Sequence, residues 1–287
     1  MNLSSKTLFH FTNQKENLLG MLKNGIYVRY SLETYGKILK SKSELVLPMA
    51  CFCDIPLSQI REHTKKYGNY SIGLSKEWGV KNGLSPVLYT HYKSDTAKIL
   101  NSLTKNITEL FDIEDSEEND KLLKEYGVSE DELSLIKSGN DILNSKLIDK
   151  NTELSEQLGH FLKYVKPYEG IGYSNGKEFK KVRFYDEREW RYVPPKNLLK
   201  KLEIKDIYKR KFYVDPVRKR YINMKLSVHK KLTFEPKDIK FLVVNKDNEI
   251  PAMIKEIRNL FENDISYSEL MILNSRLISL EQIIDDL

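Results

Sequence analysis

The residues best able to do chemistry lie in a late stretch that runs from Arg183 to Pro194. Read as a β-strand, whose side chains alternate between two faces, this stretch sends carboxylates, guanidinium groups and aromatic rings to both sides. A half-buried strand normally alternates apolar with polar residues, so the mixture favours the wall of a polar pocket. An edge strand whose charges face water fits the residue types equally well. The candidates for chemistry within the stretch are Glu187, Glu189 and Arg191.

A histidine near the start of the chain is a further candidate. His10 stands between Phe9 and Phe11 in a short predicted strand, so its side chain points away from theirs. If the two phenylalanines belong to the core, His10 faces a groove, and Thr12 follows on the same strand. A histidine with a purely structural role is the more common outcome for such a residue.

Two tyrosines complete the candidate set. Tyr67 lies four residues after His63, so the two side chains share one face of the helix predicted to begin at Pro56. A pair of surface residues is the simplest interpretation of that spacing. Tyr70 opens the strand that follows the helix.

No common catalytic or metal-binding motif is present in the sequence. It contains neither G-x-G-x-x-G nor G-K-S/T, and neither H-E-x-x-H nor G-x-S-x-G. Cys51 and Cys53 are too close together for an ordinary disulfide, and no second Cys or His pair stands at zinc-finger spacing. We therefore expect no metal site, and two small buried thiols in a reducing compartment.

Strand and helix signals alternate along the chain, which indicates an α+β protein. Besides the stretch described first, strands are predicted at Leu8–Thr12, Ile26–Tyr30, Leu45–Cys53, Tyr70–Leu74, Pro86–Tyr92 and Lys240–Val244. Helices are predicted after Asn13, from Pro56 to about Lys66, around Trp78, from Ile250 to Phe261 and from Tyr267 to about Ile284. The polar residues Ser31–Ser43 are weakly patterned, which is typical of a mobile loop over a site.

The middle of the chain differs from both ends. From about Ser94 to Lys166 strand signals vanish and leucines and isoleucines recur at helical spacing. We therefore predict a single domain, residues 1–287, in which residues 94–166 form a helical insertion and residues 265–287 a C-terminal helix. The apolar stripe of that last helix is expected to pack on the body, with partner binding as the alternative.

Composition limits the class of protein. The chain has 287 residues, 40% hydrophobic, and a formal charge of +6, with lysine and arginine concentrated between Lys196 and Lys240. This basic stretch could bind nucleic acid or another polyanion, although a solvated lysine-rich surface is the simpler interpretation. No apolar run is long enough to span a membrane and the N-terminus has no signal-peptide pattern, so a cytoplasmic protein is expected.

Five phrases spread through the chain resemble the AbiGi family of bacterial abortive-infection proteins. The phrases are Leu8–Thr12, Met49–Ser58, Tyr67–Trp78, Lys166–Gly170 and Glu187–Pro194, and they occur in matching order. The resemblance implies a role in phage resistance as the antitoxin-side partner of a nucleotidyltransferase-like toxin. It therefore implies a cognate toxin protein as partner and does not itself specify any chemistry.

The chain also resembles the ADP-ribosyltransferase fold, in which an early strand carries His and a hydroxyl residue, a middle strand an aromatic and a late strand Glu. His10 with Thr12, Tyr70 and Glu189 occur in that order. The resemblance implies a split antiparallel β-sheet core and NAD as substrate.

Roles for individual residues also follow from this resemblance. Glu189 would support positive charge on the ribose, His10 would hydrogen-bond the other ribose and Tyr70 would stack on nicotinamide. Arg191 would hold a phosphate or pair with a carboxylate. Tyr67 and Glu187 are the alternatives for the aromatic and the acid.

Two functions remain open from the sequence. One is transfer of ADP-ribose from NAD to a nucleic-acid or protein acceptor. The other is a non-catalytic antitoxin that holds a toxin partner or operator DNA.

Overall fold

A computed structural model describes residues 5–35, 38–39, 44–112, 150, 152–174, 177–210 and 214–286. Most of the predicted insertion, residues 94–166, lies outside these ranges. Its two ends are helical, at Asp95–Asp112 and at residues 152–162, as the leucine spacing predicts.

The chain forms a mostly antiparallel sheet with helices packed on it. The strands are β1 (Thr7–Thr12), β2 (Ile26–Tyr27), β3 (Arg29–Thr34), β4 (Glu44–Cys53), β5 (Tyr70–Ser75), β6 (Ser85–Pro86), β7 (Leu88–Thr90), β8 (Val165–Pro167), β9 (Glu169–Ser174), β10 (Lys177–Arg183), β11 (Glu189–Tyr192), β12 (Tyr208–Lys209), β13 (Lys231–Leu232), β14 (Ile239–Val244) and β15 (Leu277–Ser279). The expected α+β class is confirmed.

The helices occur between these strands and at the C-terminus. They are α1 (Lys15–Asn24), α2 (Ile60–Tyr67), α3 (Lys76–Lys81), α4 (Asp95–Asp112), α5 (152–162), α6 (Lys196–Lys201), α7 (Pro216–His229), α8 (Ile250–Phe261), α9 (Tyr267–Asn274) and α10 (Leu280–Asp286). Local chemistry fixes several ends. Ser75 caps α3 by accepting from the Trp78 amide at 3.1 Å, and Asp215 caps α7 by accepting from the Val217 amide at 3.0 Å.

The central sheet has the order β15-β14-β5-β1-β4-β11-β6, and β3 and β12 also pair with β4. The pairs are antiparallel except for β14 with β15. One face packs on the main core, to which α1, α3, α6, α7, α8 and α9 contribute. Buried members from these helices are Leu18, Leu22, Trp78, Leu199, Ile222, Leu226, Met253, Ile257, Leu270 and Leu273.

β4 organises the sheet, because different strands pair with its two halves. On one edge, β3 pairs with β4 as far as Met49, whereas the described register joins β1 to β4 at a single pair, Phe9 with Cys53. The β4 backbone from Ala50 to Phe52 therefore lies in a gap between β1 and β3. On the other edge β11 pairs with β4 without a break, from Glu189 opposite Cys53 onward.

The stretch from Arg183 to Pro194 is not one strand, so that prediction was wrong. Phe184–Glu187 forms a 3-10 turn and Arg188 adopts a left-handed conformation, with φ 43°. The turn reorients the chain so that the Arg188 carbonyl accepts from the Asp54 amide at 3.0 Å and β11 can begin. Alternation holds only within β11, where Glu189 and Arg191 share a face.

The single C-terminal helix predicted for residues 265–287 is also wrong. The segment is divided into α9, β15 and α10, because β15 pairs in parallel with β14 at Leu242–Val244 and satisfies its outer edge. Much of the predicted apolar stripe does pack on the body: Leu270, Leu273 and Leu280 are buried.

The loop expected at Ser31–Ser43 begins later than predicted. Residues 31–34 continue β3, which pairs with β4 as far as Thr34, because the ladder continues to satisfy the backbone there. Residues 36–37 and 40–43 lie outside the described part of the chain.

Candidate functional site

A cavity of about 580 Å³ opens at the gap between β1 and β3. This volume is in the range of natural small-molecule sites, roughly 300 to 1,000 Å³. His10 from β1, Glu33 from β3, Tyr67 at the end of α2, and Glu187 and Glu189 around β11 all line it. Sequence positions almost 180 residues apart thus meet at one site.

His10 lies at the edge of the gap. Its Nδ1 is 2.8 Å from the Cys51 carbonyl oxygen, which can only accept, so Nδ1 carries the proton. Burial lowers the pKa of His10, which keeps the imidazole neutral and leaves Nε2 as an acceptor. The His10 ring packs against Phe52 at 5.2 Å between centroids, whereas Phe9 and Phe11 contact each other at 6.1 Å, so His10 points away from the two phenylalanines as alternation predicts. All three residues line the cavity.

Glu189 is held by two cations beneath the cavity surface. The Arg191 Nε donates to one carboxylate oxygen, Oε1, at 2.5 Å, and the Lys166 Nζ donates to the other, Oε2. Glu189 is only 3% exposed. Although burial opposes the charged form, Arg191 and Lys166 outweigh it and hold the pKa of Glu189 well below its ordinary value. Glu189 is therefore ionised throughout the physiological pH range.

Glu187 belongs to the same buried network. Its Oε1 accepts from the Tyr67 hydroxyl at 2.5 Å and its Oε2 accepts from the Lys166 Nζ at 2.9 Å. Lys166 thus bridges the two glutamates that the sequence could not rank. Burial is the chief cause that raises the pKa of Tyr67, and the adjacent Glu187 charge raises it further, so the phenol stays protonated and donates.

Arg191 has no exposed surface. Its Nη1 donates to the Lys163 carbonyl at 2.7 Å and its Nη2 lies 2.9 Å from a Glu33 carboxylate oxygen. The guanidinium therefore pairs with carboxylates, which is one of the two predicted roles. The other, direct contact with a ligand phosphate, does not fit a side chain buried this deeply.

Tyr70 and Thr12 do not line the cavity. The Tyr70 hydroxyl donates to Glu249 at 2.8 Å, and the Thr12 hydroxyl accepts from Asn17 at 2.9 Å. The structure thus brings Tyr67, the alternative tyrosine, to the cavity in place of Tyr70. The predicted site residues at the cavity are His10, Tyr67, Glu187 and Glu189.

Gly68 explains why Tyr67 reaches the site. A Cβ at this position would lie 2.3 Å from the Thr12 carbonyl oxygen, and the backbone has φ 108°. Only glycine lets the end of α2 pack this tightly against the end of β1. His63, one turn earlier, is buried rather than on the surface as its spacing suggested.

Sequence reasoning missed Lys166 and Glu33 as members of the site. Lys166 stood at the start of a predicted turn and Glu33 in a predicted loop, and neither has a neighbour in sequence that reveals a distant carboxylate or guanidinium. Lys219 and Arg210 also line the cavity, and Arg210 pairs there with the Glu44 carboxylate at 2.7 Å. In the sequence, only their position in the basic stretch between Lys196 and Lys240 singles out Arg210 and Lys219.

Comparison with known proteins assigns the chain to a family. A family model described as "Putative abortive phage resistance protein AbiGi, antitoxin" matches residues 24–245, more than half of the chain. The chain belongs to the AbiGi family. Of the site residues, His10 precedes the matched range, whereas Tyr67, Lys166, Glu187 and Glu189 fall inside it.

A curated relative supports the AbiGi assignment. It is "Abortive phage resistance protein AbiGi" of Lactococcus lactis subsp. cremoris, 31% identical over 174 residues, which is 56% of this chain and 57% of the relative. The match therefore spans little more than half of that relative's length. No solved structure matches the chain. The family prediction is confirmed, whereas the ADP-ribosyltransferase resemblance remains a prediction.

Among the described residues, no cluster of three or more His, Cys, Asp or Glu side chains could hold a metal ion. Within the same ranges, no helix is long and apolar enough to cross a bilayer.

Proposed function

We propose that this AbiGi-family chain acts in phage defence by transferring ADP-ribose from NAD to a nucleic-acid or protein acceptor at the cavity between β1 and β3. One observation carries the proposal: His10 and Glu189 line the same cavity, whose volume suits a ligand of this class.

The electrostatics fit the reaction. In the transfer, the bond between ribose C1′ and the nicotinamide nitrogen breaks, and nicotinamide leaves as a neutral molecule with the bonding electrons. The acceptor atom bonds to C1′ and gives up its proton. Positive charge builds on the ribose in between, and an ionised carboxylate at a fixed position stabilises it. Glu189, held ionised by Arg191 and Lys166, would supply that charge.

The remaining lining residues would bind the dinucleotide. His10 would accept a ribose hydroxyl through Nε2, Tyr67 would offer an aromatic edge, and Arg210 and Lys219 would attract the pyrophosphate. In this assignment Tyr67 replaces Tyr70, and the cations of the cavity replace Arg191 in contact with phosphate.

Binding and turnover of NAD test the proposal. Calorimetry should detect NAD binding to the wild-type chain, and chromatography should detect nicotinamide release. His10→Gln, which retains a donor for the Cys51 carbonyl, and Glu189→Gln should both reduce release by at least about tenfold. Glu249→Gln is the matched control, because Glu249 bonds Tyr70 away from the cavity. Absence of NAD binding at millimolar concentration would refute the proposal.

A non-catalytic antitoxin is the second candidate. Both Glu189 oxygens are engaged by cations and the side chain is 3% exposed, an arrangement that structural ion networks share. The family description as an antitoxin also favours it. If folded His10→Gln and Glu189→Gln proteins protect cells from phage as well as wild type does, this second function replaces the first.

A further inference from the structure

Helix α7 presents an apolar face to solvent. Val217, Tyr221, Met224 and Val228 are 76%, 52%, 55% and 73% exposed. They are separated by four, three and four residues, so they form one stripe along the helix, about 16 Å long at 1.5 Å per residue. Contiguous exposed apolar surface of this kind marks interaction sites on soluble proteins.

The stripe is not the face by which α7 is attached to the body. Ile222 and Leu226 are buried in the main core, and the Asn223 side chain accepts from the Tyr30 amide at 2.8 Å. At about 100° per residue, the exposed stripe lies roughly 150° around the helix from the two buried side chains. α7 therefore has two apolar faces, one buried and one unpartnered among the described residues.

The exposed face follows the heptad pattern of a coiled-coil seam. Tyr221 and Val228 take position a, and Val217 and Met224 take position d. Arg218 and Lys225 take the flanking e positions, and Arg220 and Ser227 take the g positions. Helix α7 itself contains no carboxylate. The stripe is thus bordered by positive charge on both sides.

We propose that the exposed face of α7 docks an amphipathic helix of a partner protein whose apolar seam is bordered by glutamate or aspartate. The 4-3-4 spacing specifies a helix as the occupant, because a and d side chains fit between those of a second helix. The basic flanks specify its charge, because acidic e and g residues would pair with Arg218, Arg220 and Lys225.

The same flanks disfavour the other occupants. A second copy of this chain would bring Arg218, Arg220 and Lys225 against their own equivalents, and like charges across such a seam oppose association. The phosphates of a nucleic acid would pair with the cations, but they would leave the four apolar side chains unburied, because phosphate contacts are electrostatic.

The N-terminal end of α7 reaches the cavity, where Val214, just before the helix, and Lys219, within it, belong to the lining. At about 100° per residue, Lys219 lies roughly 170° around α7 from the exposed stripe, so the docking face and the cavity are on different sides of the helix. The proposal does not depend on ADP-ribosyl transfer, since an antitoxin without catalytic activity would use the same face.

A synthetic helix of defined charge provides the test. The probe is a fluorescein-labelled four-heptad peptide with leucine at a and d and glutamate at e and g, and its twin carries lysine at e and g. Fluorescence anisotropy with the full-length chain should show binding of the glutamate peptide, at least about tenfold tighter than that of the lysine peptide.

Three variants connect binding to the proposed face. Val217→Ser/Met224→Ser should weaken binding of the glutamate peptide by at least about tenfold, since both side chains would lose burial. Arg218→Glu/Arg220→Glu/Lys225→Glu should reverse the preference between the two peptides. Val80→Ser, which changes a 63% exposed valine on α3, is the control and should bind as wild type does.

Several outcomes would overturn the proposal. One is equal or absent binding of the two peptides. Another is sedimentation that shows a dimer lost in Val217→Ser/Met224→Ser, which would assign the face to a second copy. A third is binding of duplex DNA that depends on the three cations while neither peptide binds. A fourth is peptide binding that appears only when the acidic residues between 112 and 120 are replaced by serine, which would show that the chain covers its own face.

Discussion

Tyr67 donates a hydrogen bond of 2.5 Å to Glu187, 120 residues later in the chain, and so ties the end of α2 to the turn before β11. Tyr70, three residues after Tyr67, instead donates to Glu249 at 2.8 Å outside the cavity. Two tyrosines that look interchangeable in the sequence thus bond different carboxylates in different surroundings.

This difference predicts unequal effects of the same substitution. Tyr67→Phe removes the donor from a carboxylate that is 2% exposed, so we expect a loss of about 1–3 kcal/mol in the free energy of unfolding. Tyr70→Phe affects a more exposed bond and should cost less than about 1 kcal/mol. Urea unfolding of the two variants checks the prediction. Equal losses would show that the Tyr67 bond is not a buried one.

The buried ion network predicts a larger effect at Glu189. Glu189→Gln leaves the buried Arg191 and Lys166 with one carboxylate fewer, and removal of one partner from a buried pair costs about 3–5 kcal/mol. Lys166→Met should cost a similar amount, because it leaves Glu187 and Glu189 without their shared cation.

The double variant tests whether these residues form one unit. Glu189→Gln/Lys166→Met should lose less free energy of unfolding than the sum of the two single losses, since each change removes the other's unpaired charge. Strict additivity in urea unfolding would mean that Glu189 and Lys166 are not coupled.

The sequence predicts the local elements of this chain better than their assembly. β5, α8 and β14 lie where residue patterns place them, because apolar periodicity, caps and proline positions act locally. The C-terminal segment departs from its helical pattern, because pairing of β15 with β14 satisfies an edge that no local signal reveals.

The site shows the same limit. Residue type makes His10, Glu187 and Glu189 candidates, the ADP-ribosyltransferase resemblance implies His10 and Glu189, and all three line the cavity. Lys166 could not be found this way, because its role depends on two carboxylates that reach it only in the folded chain. The choice of Tyr67 over Tyr70 likewise depends on the turn at Gly68 and not on spacing.

The two cysteines are predicted to react slowly in the folded protein. Burial is the main cause that raises the pKa of both thiols well above the ordinary value, and Glu189 beside Cys51 and Glu187 beside Cys53 raise it further. Since the thiolate is the reactive form, alkylation by iodoacetamide at pH 8 should be at least about tenfold slower than in the urea-unfolded chain.

Mass spectrometry over time measures this alkylation, and Cys51→Ser and Cys53→Ser separate the two sites. Both thiols are partly exposed in the cavity wall, so a folded rate equal to the unfolded rate at either cysteine would contradict the protonated state rather than reflect a difference in access alone.

His63 predicts a pH dependence of stability. It is 6% exposed, stacks on Phe11 at 6.0 Å between ring centroids, and neither ring nitrogen makes a hydrogen bond of good geometry within the described residues, the Gln59 backbone offering only a weak one. Burial lowers the pKa of His63, and Lys66 lowers it further, although Glu187 opposes the shift.

As pH falls below about 6.5, the unfolded chain therefore takes up a proton that folded His63 does not, and stability decreases. His63→Phe retains the ring stack and removes both the titration and the two poorly satisfied ring nitrogens. It should raise the free energy of unfolding by about 1 kcal/mol at pH 7 and by more at pH 5.5. The exposed His229→Phe is the control, and urea unfolding at both pH values is the measurement. Parallel loss of stability with pH in wild type and His63→Phe would show that His63 is already protonated in the folded chain, or that other groups dominate the dependence.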